Sequence, residues 1–166
     1  MCGIVGVVAK QDVTPILIEG LRRLEYRGYD SAGIAITANG RIDVRKAAGK
    51  LQRLDSMLVD SPMAGSVGIG HTRWATHGMP AERNAHPHMS GEKVAIVHNG
   101  IIENHAELRQ QQTAEGFRFT SDTDTEVAVH QIEHYLRVKG DLLEAVRDAV
   151  TDFEGAYALG VVSVKD

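Results

Sequence analysis

The only cysteine of the chain, Cys2, directly follows Met1. A small second residue permits removal of the initiator methionine, which would place a thiol and a free α-amine on the same residue. The pKa of an α-amine is about 7.7 to 8.0 and that of a thiol is about 8.5, so the amine can accept the thiol proton near neutral pH. The alternative is a small apolar residue that fills space at the start of a strand. Position alone favours this alternative, and a nucleophile therefore requires companion residues.

Three short segments carry side chains that an amide-cleaving nucleophile would need. His98-Asn99-Gly100 offers an asparagine amide and a glycine N–H, which could stabilise an oxyanion together. The segment HTRWATHG, residues 71–78, contains Arg73, whose planar guanidinium suits a carboxylate. The segment SDTDTE, residues 121–126, contains Asp124, which could hold an ammonium group. Each segment also has an ordinary explanation, namely a turn, a solvated loop and a capped helix start.

Eight histidines raise the question of a metal site, because His86 and His88 form a close pair and His71 and His77 lie nearby. A zinc site needs three or four ligands with supporting partners. The spacing His-Pro-His is unspecific, few carboxylates lie near these histidines, and Cys2 is already assigned. We therefore expect no metal and no other cofactor.

The first half of the chain alternates short apolar runs with capping and turn signals. The predicted elements are a strand over 3–9, a helix from an N-cap at Thr14 to about Tyr26, a turn flanked by Gly28 and Gly33, a strand over 34–37, a hairpin at Asn39-Gly40, a helix over 51–58 and a strand over 67–72. The glycines of this last strand are expected to lie close under another layer.

A long functional loop is expected over 72–87. The elements predicted after it are a strand over 94–97 that ends at His98-Asn99-Gly100, helices that begin at Asn104, at the capping box of Thr123 with Glu126 and at Asp141, and a strand over 156–164. Strand pairs with helices between them favour an α+β layered architecture over a doubly wound parallel sheet.

Length and composition limit the class of protein. With 166 residues, 43% of them hydrophobic, the chain can bury the core of one globular domain. Its formal charge of −4 comes from intermixed acidic and basic residues, which gives no basic stripe for nucleic acid and no polybasic membrane anchor. It has no leader-like N-terminus and no apolar run of the roughly 18 residues that a membrane span needs. We expect a cytoplasmic protein with a small-molecule or protein partner.

Six motifs, taken together and in order, resemble the N-terminal-nucleophile glutamine amidotransferases. They are Cys2-Gly3-Ile4, LEYRGYDSAG, HTRWATHG, NAHPH, HNGIIEN and DTDTE. Within the family, LEYRGYDSAG and HTRWATHG look like the hexosamine branch, not the branches that feed phosphoribosylamine or asparagine synthesis. The resemblance spans nearly the whole chain. It implies a four-layer αββα fold, in which two antiparallel sheets pack between helices.

The resemblance also implies roles for individual residues. Cys2, after loss of Met1, would attack the side-chain amide of L-glutamine, release ammonia and form a thioester that water hydrolyses. The resemblance implies an oxyanion hole at Asn99 and Gly100, binding of the α-carboxylate by Arg73 and binding of the α-ammonium by Asp124. It implies that a loop with Trp74, Thr76 and His77 covers the substrate and that Trp74 gates the passage of ammonia. Arg27 and His86 would support the site.

The residue types agree with this resemblance for a physical reason. Glutamine presents a carboxylate, an ammonium and an amide, and the three segments supply a cation, an anion and a pair of hydrogen-bond donors. An amide without the amino-acid end would leave Arg73 and Asp124 unpaired, so we expect the site to reject it.

The family's glutaminase domain is longer than this chain and is followed by two sugar isomerase domains that act on fructose 6-phosphate. Residues 1–166 are therefore expected to be a partial glutaminase domain without the isomerase domains, with a sheet cut short near Val164 that leaves an unpaired edge. Two other hypotheses remain. One is a noncatalytic fragment that only binds glutamine or a partner chain, and the other is a hydrolase of the same architecture that acts on another amide. The oligomeric state is left open.

Overall fold

The computed structural model describes residues 2–75 and 78–164. Its strands and helices, in chain order, are β1 (Gly3–Val8), α1 (Thr14–Leu24), β2 (Ser31–Ala38), β3 (Arg41–Ala48), α2 (Leu51–Asp60), β4 (Val67–Arg73), β5 (His88–Ser90), β6 (Val94–Ile102), α3 (His105–Ala114), α4 (Asp124–Lys139), α5 (Leu142–Ala149) and β7 (Gly155–Ser163). Two 3-10 turns cover Glu25–Arg27 and Glu82–Asn84. Among these described helices, none has the length and apolar character needed to cross a bilayer.

The strands form two antiparallel sheets. The first has the order β1-β4-β2-β3 and the second the order β5-β6-β7. The predicted hairpin at Asn39-Gly40 joins β2 to β3 and is confirmed, since both residues have positive φ, 52° and 73°, as a tight two-residue hairpin turn requires. Among the described residues β7 lies at a sheet edge, and the continuation of that sheet stays a prediction.

Three apolar clusters separate four layers. Leu17 and Leu21 of α1 pack with residues of α2 and the first sheet, Ile69 and Val97 meet between the two sheets, and Ile132 of α4 belongs to the cluster between the second sheet and the remaining helices. A fully buried aliphatic side chain contributes about 1.5–3 kcal/mol relative to an exposed one. The order helices, sheet, sheet, helices confirms the expected α+β fold with αββα layers.

Successive side chains of β6 point to opposite faces of its sheet, and both faces are buried. Val94 and Ile96 belong to the cluster against the helices, whereas Ala95 and Val97 belong to the cluster between the sheets. Because both faces are buried, the sequence here is continuously apolar instead of alternating.

The glycines of β4 lie under α1, as expected. A Cβ at Gly68 would come within 2.7 Å of Leu17 Cδ1, and one at Gly70 within 3.2 Å of Leu21 Cδ1. The absence of side chains on this face of β4 therefore lets α1 approach the first sheet.

The predicted end of the strand at His98-Asn99-Gly100 is wrong, and so is the ordinary explanation of this segment as a turn. β6 continues to Ile102, and this segment pairs with Leu159, Ala158 and Tyr157 of β7. Asn-Gly is a turn signal only when no partner strand competes for its backbone groups. β5 was not predicted; it pairs with β6 across a short hairpin, in which His88 faces Ile96 and Ser90 faces Val94. Gly33, predicted to flank a turn, lies within β2, because its backbone pairs with Lys46 of β3 and His71 of β4.

At two of the predicted helix starts, the residue expected to cap the helix makes other hydrogen bonds instead. The first residue of α1 is Thr14, and the Asp12 carboxylate accepts hydrogen bonds from its N–H at 3.1 Å and from its hydroxyl at 2.8 Å. Asn104 precedes α3, but its side-chain amide donates to Asp152 O at 2.7 Å and its carbonyl accepts from Glu154 N–H at 3.1 Å.

At α4 the predicted capping box is also replaced. The Glu126 carboxylate accepts from the N–H groups of Thr120 and Ser121 at 2.8 and 2.7 Å, and Thr123 makes no side-chain cap. Asp141 does cap α5, since its carboxylate accepts from Glu144 N–H at 2.9 Å.

Candidate active site

A cavity of about 220 Å³ lies where β1, β4, β6 and the start of α4 meet. Its lining residues are Cys2, Arg73, Trp74, His86, His98, Asn99, Gly100, Ile101, Thr123, Asp124 and Thr125. This one cavity therefore contains Cys2 together with residues from HTRWATHG, His98-Asn99-Gly100 and SDTDTE. Arg27 is not among the lining residues, and Thr76 and His77 lie outside the described residues, as does Met1.

Cys2 reaches the cavity because it directly precedes β1, which pairs with β4. Gly3 faces Thr72 across the two strands, so Cys2 comes to lie beside the end of β4. Its Sγ accepts a hydrogen bond from Trp74 N–H at 3.2 Å and lies 3.5 Å from Trp74 O. The backbone of Trp74 thus fixes the position of the sulfur, which is half-buried at the cavity wall.

Asn99 and Gly100 lie within β6 and line the same cavity as Cys2. Gly100 has φ of 131°, and a Cβ at this residue would lie 2.2 Å from Ala156 O and 2.6 Å from Tyr157 Cα of the neighbouring strand. Only glycine fits this combination of backbone angle and close strand approach. The paired strand therefore holds the backbone of both residues beside the cavity.

We expect Gly100→Ala to lower the free energy of unfolding by about 3 kcal/mol or more, since the new methyl group must separate β6 from β7 and take up a strained φ. Chemical denaturation measures this change. The matched control is Gly6→Ala, because a Cβ at Gly6 of β1 meets no atom within 4 Å. Equal losses of stability in the two variants would mean that the close approach of β6 and β7 does not determine the effect.

Arg73 is a buried cation at the end of β4, with 3% of its surface exposed. One guanidinium nitrogen, Nη1, lies 3.5 Å from Asp30 Oδ1, and the other, Nη2, donates to Gly78 O at 3.0 Å. The second carboxylate oxygen of Asp30 accepts from Ala75 N–H. Asp30 thus braces the arginine and the backbone after it. Asp30 lies within LEYRGYDSAG, but the sequence alone did not indicate this contact.

Asp124 is a buried anion, also 3% exposed, at the first position of α4. Its Oδ2 accepts a hydrogen bond from Ile102 N–H at 2.9 Å, at the end of β6. The positive end of the helix dipole stabilises a carboxylate at this position. The cavity therefore has an anion on the α4 side and a cation on the β4 side, together with the thiol.

Trp74 forms part of the rim, with 54% of its surface exposed. Its ring lies over Gly28, where an added Cβ would come within 2.9 Å of Cζ3. Arg27 precedes this glycine in a 3-10 turn and is exposed. It is therefore next to the residue that supports the indole, and not in the cavity wall.

A cluster of four buried histidines under the cavity was not predicted from the sequence. Ring centroids lie 4.3 Å apart for His71 and His86, 4.9 Å for His86 and His88, and 6.4 Å for His86 and His98. Burial lowers the pKa of His71 to about 3 and holds the pKa of His86 and of His88 well below the ordinary value. In the part of the chain that the structure describes, no group of three or more possible ligands is arranged to hold a metal ion.

The lowered pKa values of His71, His86 and His88 predict loss of stability in mild acid. Each lowered pKa means that the unfolded chain, with a histidine pKa of about 6.5, binds protons before the folded one does. The free energy of unfolding is therefore highest above about pH 6.5 and falls with pH by about 1.4 kcal/mol per pH unit for each such histidine. Urea denaturation between pH 6.5 and 5, above the range of ordinary carboxylates, measures the slope.

The variant that tests this assignment is His88→Gln. His88 Nε2 lies 3.2 Å from Thr123 Oγ1, and glutamine can retain that hydrogen bond without titrating. We expect the slope to fall by about 1.4 kcal/mol per pH unit. Thr123→Val is the matched control, since it removes the same hydrogen bond but no titrating group, and we expect it to leave the slope unchanged. An unchanged slope in His88→Gln would contradict the prediction.

The sequence matches the family described as a glutamine amidotransferase domain over residues 71–166. The chain is 58% identical over 166 residues to glutamine-fructose-6-phosphate aminotransferase (isomerizing) of Pseudomonas putida, covering 99% of this chain and 27% of that protein. The enzyme of the same name from Clostridium tetani is 56% identical over 164 residues, covering 98% of this chain and 26% of that protein. The chain thus spans about a quarter of the length of these relatives.

Solved structures also match nearly the whole of this chain with only part of their own length. Glutamine phosphoribosylpyrophosphate amidotransferase from B. subtilis superposes with a TM-score of 0.82 at 27% sequence identity, covering 99% of this chain and 35% of that one. A structure described as the allosteric regulatory enzyme of purine biosynthesis superposes with a TM-score of 0.83 at 28% identity, covering 99% of this chain and 36% of that one.

Proposed function

The chain belongs to the glutamine amidotransferase family, and we propose that it hydrolyses the side-chain amide of L-glutamine to glutamate and ammonia. The observation that carries this proposal is the arrangement of the cavity. Cys2 and the pair Asn99 and Gly100 line it together with a buried cation, Arg73, and a buried anion, Asp124. These are the groups that an amide, an α-carboxylate and an α-ammonium require.

The proposed reaction has two steps. The Cys2 thiolate attacks the side-chain carbonyl carbon, and the electron pair moves to the oxygen, where the Asn99 amide and the Gly100 N–H stabilise the negative charge. The tetrahedral adduct collapses with release of ammonia, which carries the proton that the thiol gave up. The product is a thioester between Cys2 and the glutamyl chain.

Water then attacks the thioester carbonyl through the same oxyanion site and releases glutamate and the thiol. In both steps the base is the α-amine of Cys2, so removal of Met1 is part of the proposal. Arg73 and Asp124 hold the two ends of the amino acid. Trp74, Thr76 and His77 cover the substrate, with Trp74 in control of ammonia passage, while Arg27 and His86 support the site from outside the substrate contacts.

We further propose that residues 1–166 are part of the glutaminase domain of a longer protein. The support comes from relatives whose name includes fructose 6-phosphate and of which this chain spans about a quarter. In that protein, sugar isomerase domains would use the ammonia to aminate fructose 6-phosphate.

The test is the intact mass of the chain before and after exposure to a diazo-ketone analogue of glutamine, followed by peptide mapping. We expect loss of Met1 and one adduct, located on Cys2, because the analogue reacts only with an activated thiol beside a formed pocket. An excess of L-glutamine should slow the labelling. A chain that lacks Met1 and yet gains no adduct would overturn the proposal for this chain, and an adduct at another residue would overturn the role of Cys2.

A further inference from the structure

The hydroxyl of Thr125, the second residue of α4, joins two histidines from different segments. Its Oγ1 lies 2.8 Å from His86 Nε2 and 2.9 Å from His98 Nδ1. All three residues are buried, with 1%, 4% and 3% of their surfaces exposed. The contact therefore connects α4, the loop before β5 and β6 through buried side chains in the wall of the cavity.

A hydroxyl has one donor proton and two acceptor lone pairs, so Thr125 cannot donate to both rings, and if its proton is used in this contact it donates to one ring and accepts from the other. The two histidines consequently take opposite roles toward it. Since the pKa of His86 is held well below its ordinary value by burial and by the neighbouring histidines, that ring is neutral at physiological pH and carries its proton on one nitrogen only.

The carboxylate of Asp124 decides which orientation is favoured. Its Oδ1 lies 3.8 Å from His98 Nδ1, while its Oδ2 is held by Ile102 N–H. In a buried site, a negative charge at this distance favours a proton on Nδ1 over a lone pair that points toward it. His98 then donates from Nδ1 to Thr125, and Thr125 donates to His86 Nε2.

We propose that His98 and Thr125 are positioning residues, which with His86 form a directed hydrogen-bond relay that orients the Asp124 carboxylate toward the α-ammonium group of the substrate. This inference rests on the proposed function. In this proposal the relay acts on the substrate through Asp124 and not by contact of its own. It keeps the His98 N–H on the side of the ring that faces Oδ1, so that the two oxygens of Asp124 have a fixed orientation.

The relay and a merely structural role of Thr125 predict different effects of its replacement. If Thr125 only filled space, its replacement would disturb all substrates equally. Because the relay acts through Asp124, its loss should weaken only those interactions that involve the α-ammonium group. Substrates that lack this group therefore distinguish the two roles.

The experiment compares Thr125→Val, which keeps the shape and removes the hydroxyl, with Thr125→Ser, which restores it. The substrates are L-glutamine and its analogue without the α-amino group, the monoamide of glutaric acid. We expect Thr125→Val to raise KM for glutamine about tenfold, the effect of one lost hydrogen bond, with kcat within about twofold of the parent chain. We expect KM for the monoamide to stay unchanged and Thr125→Ser to behave like the parent chain. An equal rise in KM for both substrates would overturn the proposal.

A second measurement does not depend on activity. In ¹⁵N NMR spectra of the imidazole rings, the parent chain should show His98 protonated on Nδ1 and not on Nε2. His86 should have the same tautomer, because its Nε2 accepts from Thr125. A proton on Nε2 of His98 would overturn the relay. If the parent chain turns over neither amide, the proposed function fails, and the NMR spectra still decide whether the relay exists.

Discussion

Cys2→Ala is expected to lower the rate of glutamine hydrolysis by about 10⁴-fold or more, because no other described residue of the cavity can form the thioester. The remaining rate would come from the oxyanion donors and from substrate binding alone. Glutamate release at saturating glutamine measures the effect. Since Cys2 is half-buried and the hydrogen bonds described for its sulfur go to the Trp74 backbone, the fold should survive the change.

The control for this variant is its urea denaturation midpoint, which we expect to match that of the parent chain. Cys2→Ser provides a matched comparison, as it keeps a hydroxyl in the same position but a far weaker nucleophile at neutral pH. We expect it to bind glutamine and to turn it over at a rate close to that of Cys2→Ala. Hydrolysis by Cys2→Ala at more than a few per cent of the parent rate would assign the chemistry to another group.

Asn99→Ala is expected to lower kcat by about 10²- to 10³-fold while KM for glutamine changes little. In the proposed mechanism, the amide of Asn99 donates to an oxygen that becomes negatively charged only during the reaction. Its loss therefore raises the energy of the transition state more than that of bound glutamine. Steady-state kinetics of glutamate release separate the two parameters.

The matched control is Asn39→Gly in the hairpin between β2 and β3, where φ is 52° and glycine is well tolerated. We expect this variant to keep both kinetic parameters. A rise in KM without a fall in kcat for Asn99→Ala would mean that Asn99 binds ground-state glutamine and is not an oxyanion donor.

Most of the element positions could be predicted from local sequence signals. The hairpin at Asn39-Gly40 depends on two residues that tolerate positive φ, and the helix caps at Asp141 and Gly140 are also local effects. The errors arose where another hydrogen-bond partner replaced the expected one. At His98-Asn99-Gly100 and at Asn104 the local signal was real, but a segment distant in sequence supplied the hydrogen-bond partner. At Glu126 the partners are Thr120 and Ser121 just before the helix, which the capping-box pattern does not include.

The candidate residues of the site could also be identified from the sequence. Cys2, Arg73, Asn99 and Asp124 belong to motifs with recognisable residue types and order, so the sequence pointed to them before their positions were known. Their shared cavity supports the roles that we propose for them. The supporting residues Asp30 and Thr125 carry no such signal, because an aspartate or a threonine beside a motif is common in any sequence.

The sequence by itself determined the chemistry that is available and the local conformation of most segments, since residue types, caps and turn preferences act over a few neighbouring residues. Only the tertiary structure decided which groups share a cavity and which of them are charged. Packing of the two sheets and α4 buries His71, His86 and His88, lowers their pKa values and brings Thr125 between two rings. Burial and long-range contact depend on the whole fold, and no local pattern encodes them.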